Sequence, residues 1–384
     1  MDKIRLAVIG ATGSVGGSVL DICARFPQVF EVYALAAHSN GKKLAELGRK
    51  FGAKILCLTE PNNSSWHEDG FTCISGVEGL SEIAENPAVN HAVFASSGVS
   101  AIEALQKALE RGIDVSLANK ESIVVAGPWV MPFVKRSGQL RPIDSEHSAV
   151  WQCLRDTPRA EISRIWLTAS GGPFRDYSAE EIEKVTPEMA LNHPIWKMGP
   201  KITVDSATLM NKGIECIEAM QLFGLPGEKV GALVHPRSQV HGMVEFIDGT
   251  VKMLLSRADM RLPSAAALAW PRRLPLEDSG LKPLEPSCWD LSFREIDEKR
   301  FPCFSIARRA GKLGGAYPSL LVGADESAVN HFLAHGIPYT AIAHVVSDVL
   351  ESYNGRAPET LDDAIALVAE GARIADNICG RRRQ

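Results

Sequence analysis

The sequence contains no C-x-x-C, no stretch approaching about 18 consecutive apolar residues, and no basic run beyond Arg381-Arg382-Arg383. Each absence removes a class of function. The eight cysteines, Cys23, Cys57, Cys73, Cys153, Cys216, Cys288, Cys303 and Cys379, are scattered. That argues against a zinc ribbon, a redox dithiol or a disulfide scaffold and suits free thiols in a reducing compartment. Three arginines fall short of the roughly five to eight clustered basic residues of a nucleic-acid patch. A net charge of -5 gives the whole chain no attraction to a polyanion. No nucleic-acid partner and no membrane partner is therefore expected. Met1-Asp2-Lys3 leads directly into a strand-like run, without signal or transit features, so the expected location is cytoplasmic. Internal repeats and low-complexity tracts are lacking as well. Hydrophobic residues at 45% and charged residues at 23% are those of a globular chain. Its 384 residues suit two or three domains of about 150 residues each.

What is present is an alternation of strands and helices over residues 1–145. Ile4 to Ile9, Phe30 to Ala37, Ala53 to Leu58, Ala92 to Ala95 and Ile113 to Leu117 read as short buried strands. Lys42 to Phe51 and Ala101 to Arg111 read as helices, the second capped by Ser100 and stopped by Gly112. Such alternation predicts an α/β fold with a doubly wound, Rossmann-like, mostly parallel sheet. Residues 146–270 change character. Arg164 to Ala169, Val230 to His235, Val240 to Ile247 and Val251 to Ser256 are strand-like, and Asp248-Gly249 marks a hairpin. A central α+β catalytic domain with antiparallel pairing is expected there. Residues 271–295 are proline-rich and aperiodic and read as a linker. Residues 296–384 read as a C-terminal helical domain, with a capping box at Thr360 to Asp363.

Gly10-Ala11-Thr12-Gly13-Ser14-Val15-Gly16 follows the first strand and opens the first helix. Glycines allow a sharp turn and close approach to a pyrophosphate, and the helix start offers free N–H groups. A dinucleotide is the expected ligand. NAD-binding sheets usually place an acid after the second strand. Here Ala37-His38-Ser39-Asn40-Gly41-Lys42-Lys43 holds none, which favours NADP, with an ordinary polar turn as the alternative.

Asp144-Ser145-Glu146 follows the strand-like Gln139 to Ile143; in a strand or turn, carboxylates two apart point the same way. Asn211 and Glu215 share a face if helical, with Glu218 close by. Carboxylates without His or Cys partners suit a hard divalent ion; solvated surface acids are the alternative, and spacing does not show that Asp144 and Glu215 meet. Ser170-Gly171-Gly172, Ser206, Asn211 and Lys212 offer donors for a phosphate monoester, with a helix N-cap at Ser206 as the bland reading. His193-Pro194-Ile195-Trp196-Lys197-Met198-Gly199-Pro200 places an exposed Trp on a loop, which suggests a lid, or else a packed surface loop. Lys120, in Asn119-Lys120-Glu121-Ser122, lies at a strand end that faces cofactor in such sheets.

Together these segments resemble the 1-deoxy-D-xylulose 5-phosphate reductoisomerase family. The matching stretches are GATGSVG (10–16), LANKES (117–122), IDSEHSA (143–149), ASGGPF (169–174), HPIWKMG (193–199) and VDSATLMNKGIECIEA (204–219). The resemblance implies NADPH- and divalent-metal-dependent rearrangement and reduction of 1-deoxy-D-xylulose 5-phosphate to 2-C-methyl-D-erythritol 4-phosphate, for isoprenoid precursors, by a homodimer. It implies that Asp144, Glu146 and Glu215 bind Mg²⁺, Mn²⁺ or Co²⁺. It implies a catalytic set of Lys120, Glu146 and His193. The phosphorylated sugar would be held by Lys120, Ser145, Glu146, Ser170, His193, Trp196, Ser206, Asn211, Lys212 and Glu215. Thr12, Gly13, Ser14, Val15, His38, Ser39, Asn40, Asn119, Glu121 and Gly199 would face NADPH, and Trp196 and Met198 would sit on the lid. The chain departs from the family at one place. Many members carry Gly-(Lys/Arg)-Asn where His38-Ser39-Asn40 stands here, with Lys42 two residues on. Two other readings stay open: an NAD(P)-dependent dehydrogenase that needs no metal, and a non-catalytic NADP-binding sensor, which would leave the acidic segments idle.

Overall fold

The computed structural model describes residues 3–60, 66–155, 157–193, 195–196, 198–276 and 280–382. The chain divides into two compact units. The first comprises residues 1–122, 128–151 and 259–282, and the second 123–127, 152–258 and 283–384. This division differs from boundaries at residues 145, 270 and 295. Helix Arg261–Ala269 and the stretch after it return to the first unit, because the helix buries an apolar face against helix Ser14–Arg25 and the sheet.

The first unit holds seven strands: β1 (Ile4–Ile9), β2 (Phe30–Ala37), β3 (Ile55–Leu58), β4 (Thr72–Ser75), β5 (His91–Phe94), β6 (Asp114–Leu117) and β7 (Leu140–Pro142). Their order is β4-β3-β2-β1-β5-β6-β7, and every adjacent pair is parallel. The apolar runs form strands because both faces are covered: Leu6, Ala7 and Val8 are fully buried. Helices Ser14–Arg25, Gly41–Phe51, Glu78–Glu85 and Ile102–Glu110 supply the crossovers. Gly112 stops the last of these at φ +77°, but no side chain caps its start, so Ser100 is not the cap. The strand order reverses between β1 and β5, which opens a crevice at their C-terminal ends.

The second unit holds β8 (Ile162–Ala169), β9 (Val230–Val234), β10 (Val240–Phe246) and β11 (Val251–Leu255), in the order β11-β10-β8-β9. β10 pairs antiparallel with β8 and β11, whereas β8 and β9 are parallel. The β10–β11 hairpin turns at Gly249, φ +83°. Helices Pro200–Thr208 and Met210–Phe223 meet at Leu209, a buried non-glycine residue at φ 59°. Four helices close the unit: Pro302–Leu313, Tyr317–Leu333, Ala341–Ser352 and Leu361–Arg382. The capping box at Thr360 forms, with reciprocal bonds between Thr360 and Asp363. Among the described residues, no helix is long and apolar enough to cross a membrane.

Candidate active site

In the first unit the glycine turn sits at the β1–β5 reversal. Gly10 has φ +88°, and a Cβ there would lie 2.5 Å from the Ala95 and Ser96 backbone. At Gly16 a Cβ would lie 2.2 Å from the Gly10 carbonyl oxygen. Glycine at both places lets helix Ser14–Arg25 start hard against β1 with no acid in its first turn. Gly13 is its N-cap, Ser14 is exposed, and Val15 packs partly on the core. The turn lines a cleft of about 320 Å³ with Thr12, His38, Ala95 and Ser96. The Ser96 hydroxyl is buried there with no hydrogen-bond partner among the described residues. A crevice with a backbone-lined turn and an unsatisfied donor fits a dinucleotide.

The rim of that cleft explains part of the segment after β2. Asn40 caps helix Gly41–Phe51 by accepting from Lys43 N at 3.1 Å. The Ser39 carbonyl accepts from Gly41 N at 3.0 Å. His38 is exposed, with Nδ1 3.3 Å from Thr59 Oγ1 and Nε2 3.3 Å from Glu60 Oε2. Lys43, rather than Lys42, reaches the glycine turn: its Nζ donates to the Thr12 carbonyl at 2.7 Å.

The acidic segment lies at the end of β7. Asp144 precedes helix Ser145–Leu154 and Glu146 sits in its first turn. The two acids thus sit at a turn into a helix, and their carboxylate oxygens lie within 4.8 Å of one another, as the two-residue spacing predicts. Lys120 is 7% exposed, and its Nζ lies 3.1 Å from Asp144 Oδ2. The fully buried His147 places Nδ1 2.9 Å from Asp144 Oδ1. Ser145 Oγ donates to Glu146 Oε2 at 2.6 Å. Lys120, Asp144, Ser145 and Glu146 therefore form one linked group. Asn119 serves the local fold, donating to the Gly98 carbonyl at 2.8 Å and accepting from Ser122 N at 2.8 Å. Glu121 begins the helix that follows and is half-buried.

In the second unit His193 joins the two serines. Its Nε2 lies 3.2 Å from Ser170 Oγ and 3.1 Å from Ser206 Oγ. Its Nδ1 accepts from Ile195 N at 3.1 Å and Trp196 N at 2.9 Å. A nitrogen that accepts two N–H groups carries no proton, so Nε2 holds the hydrogen of a neutral ring. Burial keeps the imidazole below its ordinary pKa, in agreement. Gly172 (φ +66°) packs its Cα against helix Pro200–Thr208, where a Cβ would meet Ser206 O at 2.7 Å. Gly172 N donates to Ser170 Oγ at 3.1 Å. Ser206 is inside its helix and is not an N-cap. Gly199 is the N-cap, and Thr203 Oγ1 donates to its carbonyl at 2.7 Å. Trp196 and Met198 are half-buried rather than exposed; Pro194 and Lys197 lie outside the described residues.

The next helix supplies the remaining groups. Asn211 Nδ2 and Lys212 Nζ donate to the two carboxylate oxygens of Glu215. Lys212 and Glu215 are 3% and 1% exposed. A buried ammonium, an amide and a carboxylate on one helical face can bind an anion and a hard cation side by side.

Three family models match the chain. That for 1-deoxy-D-xylulose 5-phosphate reductoisomerase covers residues 6–127, that for its C-terminal domain residues 140–223, and that for the DXP reductoisomerase C-terminal domain residues 255–374. The reductoisomerase of Moorella thermoacetica is 43% identical over 374 residues, 96% of this chain and 95% of that protein. That of an Anaeromyxobacter species is 42% identical over 384 residues, 98% of each. The chain belongs to the 1-deoxy-D-xylulose 5-phosphate reductoisomerase family. Among solved structures, the reductoisomerase from Zymomonas mobilis in complex with NADPH superposes with a TM-score of 0.90 at 36% identity, covering 98% of this chain and 99% of that one. A reductoisomerase in complex with NADPH, fosmidomycin and magnesium matches with a TM-score of 0.90 at 35% identity, covering 99% of each chain.

Three residues outside the candidate site set bear on these groups. His147, on Asp144, had a signal in its i+3 spacing at a helix start. Lys43 sits one residue past Lys42. Lys201 joins Asp205, four residues on, to Asp325, 124 residues on, and no local pattern signals the second contact.

Proposed function

We propose that this protein converts 1-deoxy-D-xylulose 5-phosphate to 2-C-methyl-D-erythritol 4-phosphate, using NADPH and a divalent metal, as an enzyme of isoprenoid precursor synthesis. The observation that carries the reading is the pairing of a dinucleotide turn with two oxygen-donor groups and a neutral-histidine phosphate cradle in one chain of this family. The glycine turn, with Thr12, Gly13, Ser14 and Val15, would hold the NADPH pyrophosphate, with His38, Ser39 and Asn40 toward its 2′-phosphate. Asn119, Glu121 and Gly199 would face the same cofactor. Asp144, Glu146 and Glu215 would hold Mg²⁺, Mn²⁺ or Co²⁺. Their carboxylates are hard oxygen donors, which fits such an ion.

When bound, the metal supplies Lewis-acid polarisation of the substrate's carbonyl and hydroxyl oxygens, and NADPH supplies hydride. The protein's own groups do the rest. Lys120 donates from a buried ammonium and can stabilise negative charge developing on a substrate oxygen. Asp144 holds that ammonium in place and, through His147, is fixed from its other oxygen. Ser145 orients Glu146 by donating to it. Ser170, Ser206 and the Nε2–H of His193 converge as donors on one point, and Asn211 and Lys212 add an amide and a cation for the phosphate. That phosphate is remote from the reacting carbons, so its binding orients the substrate for chemistry elsewhere. Trp196 would cover the bound sugar. A cytoplasmic homodimer is part of the proposal.

The test is NADPH oxidation, followed by absorbance, on addition of 1-deoxy-D-xylulose 5-phosphate. Oxidation that stops with a chelator and returns with Mg²⁺ is expected. Full activity in chelator, or none with metal present, would overturn the reading.

A further inference from the structure

We propose that Lys201, Asp205 and Asp325 are positioning residues for the phosphate cradle, and that the two carboxylates share a single proton. The proposal rests on the reading above that Ser206 contacts the substrate phosphate.

Asp205 is 3% exposed and Asp325 is 0% exposed. The Lys201 ammonium donates to Oδ2 of both, at 2.6 Å and 2.5 Å. Each acid's Oδ1 is buried without a hydrogen-bond partner among the described residues. Two ionised carboxylates on one ammonium would leave a net negative charge in the interior. Isolated buried charge is expensive, and a carboxylate oxygen with no donor has nothing to offset its desolvation. Two acids meeting at one site resolve this by retaining a proton. Burial, then the nearby Asp325, hold the Asp205 carboxyl well above the usual carboxylate range, which agrees with the geometry. Two groups near the pair on neighbouring elements are neutral. The Cys303 thiol, from helix Pro302–Leu313, is kept protonated by burial, and the Tyr339 phenol is pushed upward in the same way. Asp376, across from Asp325's helix, is engaged by Ser327 and His331.

The cluster sits where it can aim Ser206. Asp205 is bound through Lys201 to Asp325 of helix Tyr317–Leu333. Ala207 is bound through its carbonyl, which accepts from Tyr339 Oη at 2.7 Å. Ser206 lies between these two anchored residues, and its hydroxyl meets His193 Nε2. The helical tail thereby sets the direction of a phosphate donor that it does not carry.

The test uses the full chain with NADPH and Mg²⁺. Infrared difference spectra of the parent against Asp325→Asn should show a protonated-carboxyl band that the variant lacks, because Asp205 alone with Lys201 needs no extra proton. Lys201→Met should raise the substrate KM by about tenfold, the scale of one hydrogen bond to a charged group, with little change in kcat, and Lys201→Arg should restore it. Should Lys201→Met fail to fold, Lys201→Met/Asp325→Asn removes the charges together and should show the same rise in KM. No protonated-carboxyl band in the parent overturns the shared proton. An unchanged KM in the methionine variants overturns the positioning role. Ser206→Ala with the parent's KM would instead remove the phosphate reading, and the infrared band would still decide the shared proton.

Discussion

The two nitrogens of His193 do different work, and two substitutions separate them. His193→Asn keeps an acceptor near the position of Nδ1 and removes the Nε2–H. The loop that begins at Ile195 and Trp196 keeps its anchor, while the proposed phosphate cradle of Ser170, His193 and Ser206 loses one of its three donors. A hydrogen bond to a charged group contributes about 1.5–3 kcal/mol, so substrate affinity should fall about ten- to a hundredfold. His193→Gln reverses the loss. Its amide can reach the place of Nε2, but two backbone N–H groups lose their acceptor, and Trp196 is no longer held. Its defect should appear as slower turnover with a smaller change in affinity. Calorimetric titration with 1-deoxy-D-xylulose 5-phosphate, beside steady-state rates, distinguishes the two. Burial lowers the His193 pKa, so the folded protein binds fewer protons there than the unfolded chain. Stability from this site is therefore lost as pH falls below the ordinary imidazole value, and the ring stays neutral at neutral pH. Parent-like affinity in His193→Asn would refute the assignment of Nε2–H to the phosphate.

Other expectations follow from single contacts. Gly10→Ala places a methyl 2.5 Å from backbone at the end of β5 in a left-handed conformation; a loss of about 1–3 kcal/mol and of NADPH binding is expected in thermal melts and fluorescence titrations. Gly17→Ala, where nothing lies within 4 Å of the new Cβ, should be harmless and is its control. Glu215→Gln should abolish most turnover while leaving the NADPH dissociation constant unchanged; parent-like rates would remove Glu215 from the metal set. His91, buried in β5 against Ser116, has its pKa lowered to about 3, first by burial and then by Arg141. Because the unfolded imidazole takes up a proton that the folded one refuses, stability should drop as pH falls. Between about pH 7 and about pH 5 the parent should lose about 2 kcal/mol that a His91→Leu variant keeps, measurable as urea midpoints.

The sequence made some of this plain and hid the rest for physical reasons. β1 and β2 are legible because a strand covered on both faces is a continuous apolar run with a glycine or polar turn at its end. β4 is not, because it is an edge strand whose Thr72 and Ser75 face solvent, so neither hydrophobicity nor alternation marks it. The Asn211–Glu215 bond could be read from helical spacing alone. The approach of Asp144 and Glu146 could be read as well, since carboxylates two apart converge at this turn as they would on a strand. The segment around Pro271 reads as a linker by composition. Composition does not reveal that Ala265, Ala267, Leu268 and Ala269 are buried in the first unit's core, a partnership formed across more than a hundred residues of chain.

That return has a consequence for how the protein is made. Helix Arg261–Ala269 lies against helix Ser14–Arg25, with Arg261 Nη1 3.5 Å from Asp21 Oδ2, and Arg141 Nη1 donates to the Ala267 carbonyl at 2.9 Å. A ribosome that has delivered only residues 1–151 has therefore released a sheet with one apolar flank bare. Closure waits for the whole intervening sheet of the second unit to be synthesised, several seconds at about 5–20 residues per second. During that interval the growing chain presents sticky surface to chaperones and neighbours. A gene fragment cut at the apparent end of the nucleotide-binding domain would carry that exposure permanently, so dissection of this enzyme should keep residues 259–282 joined to the first unit.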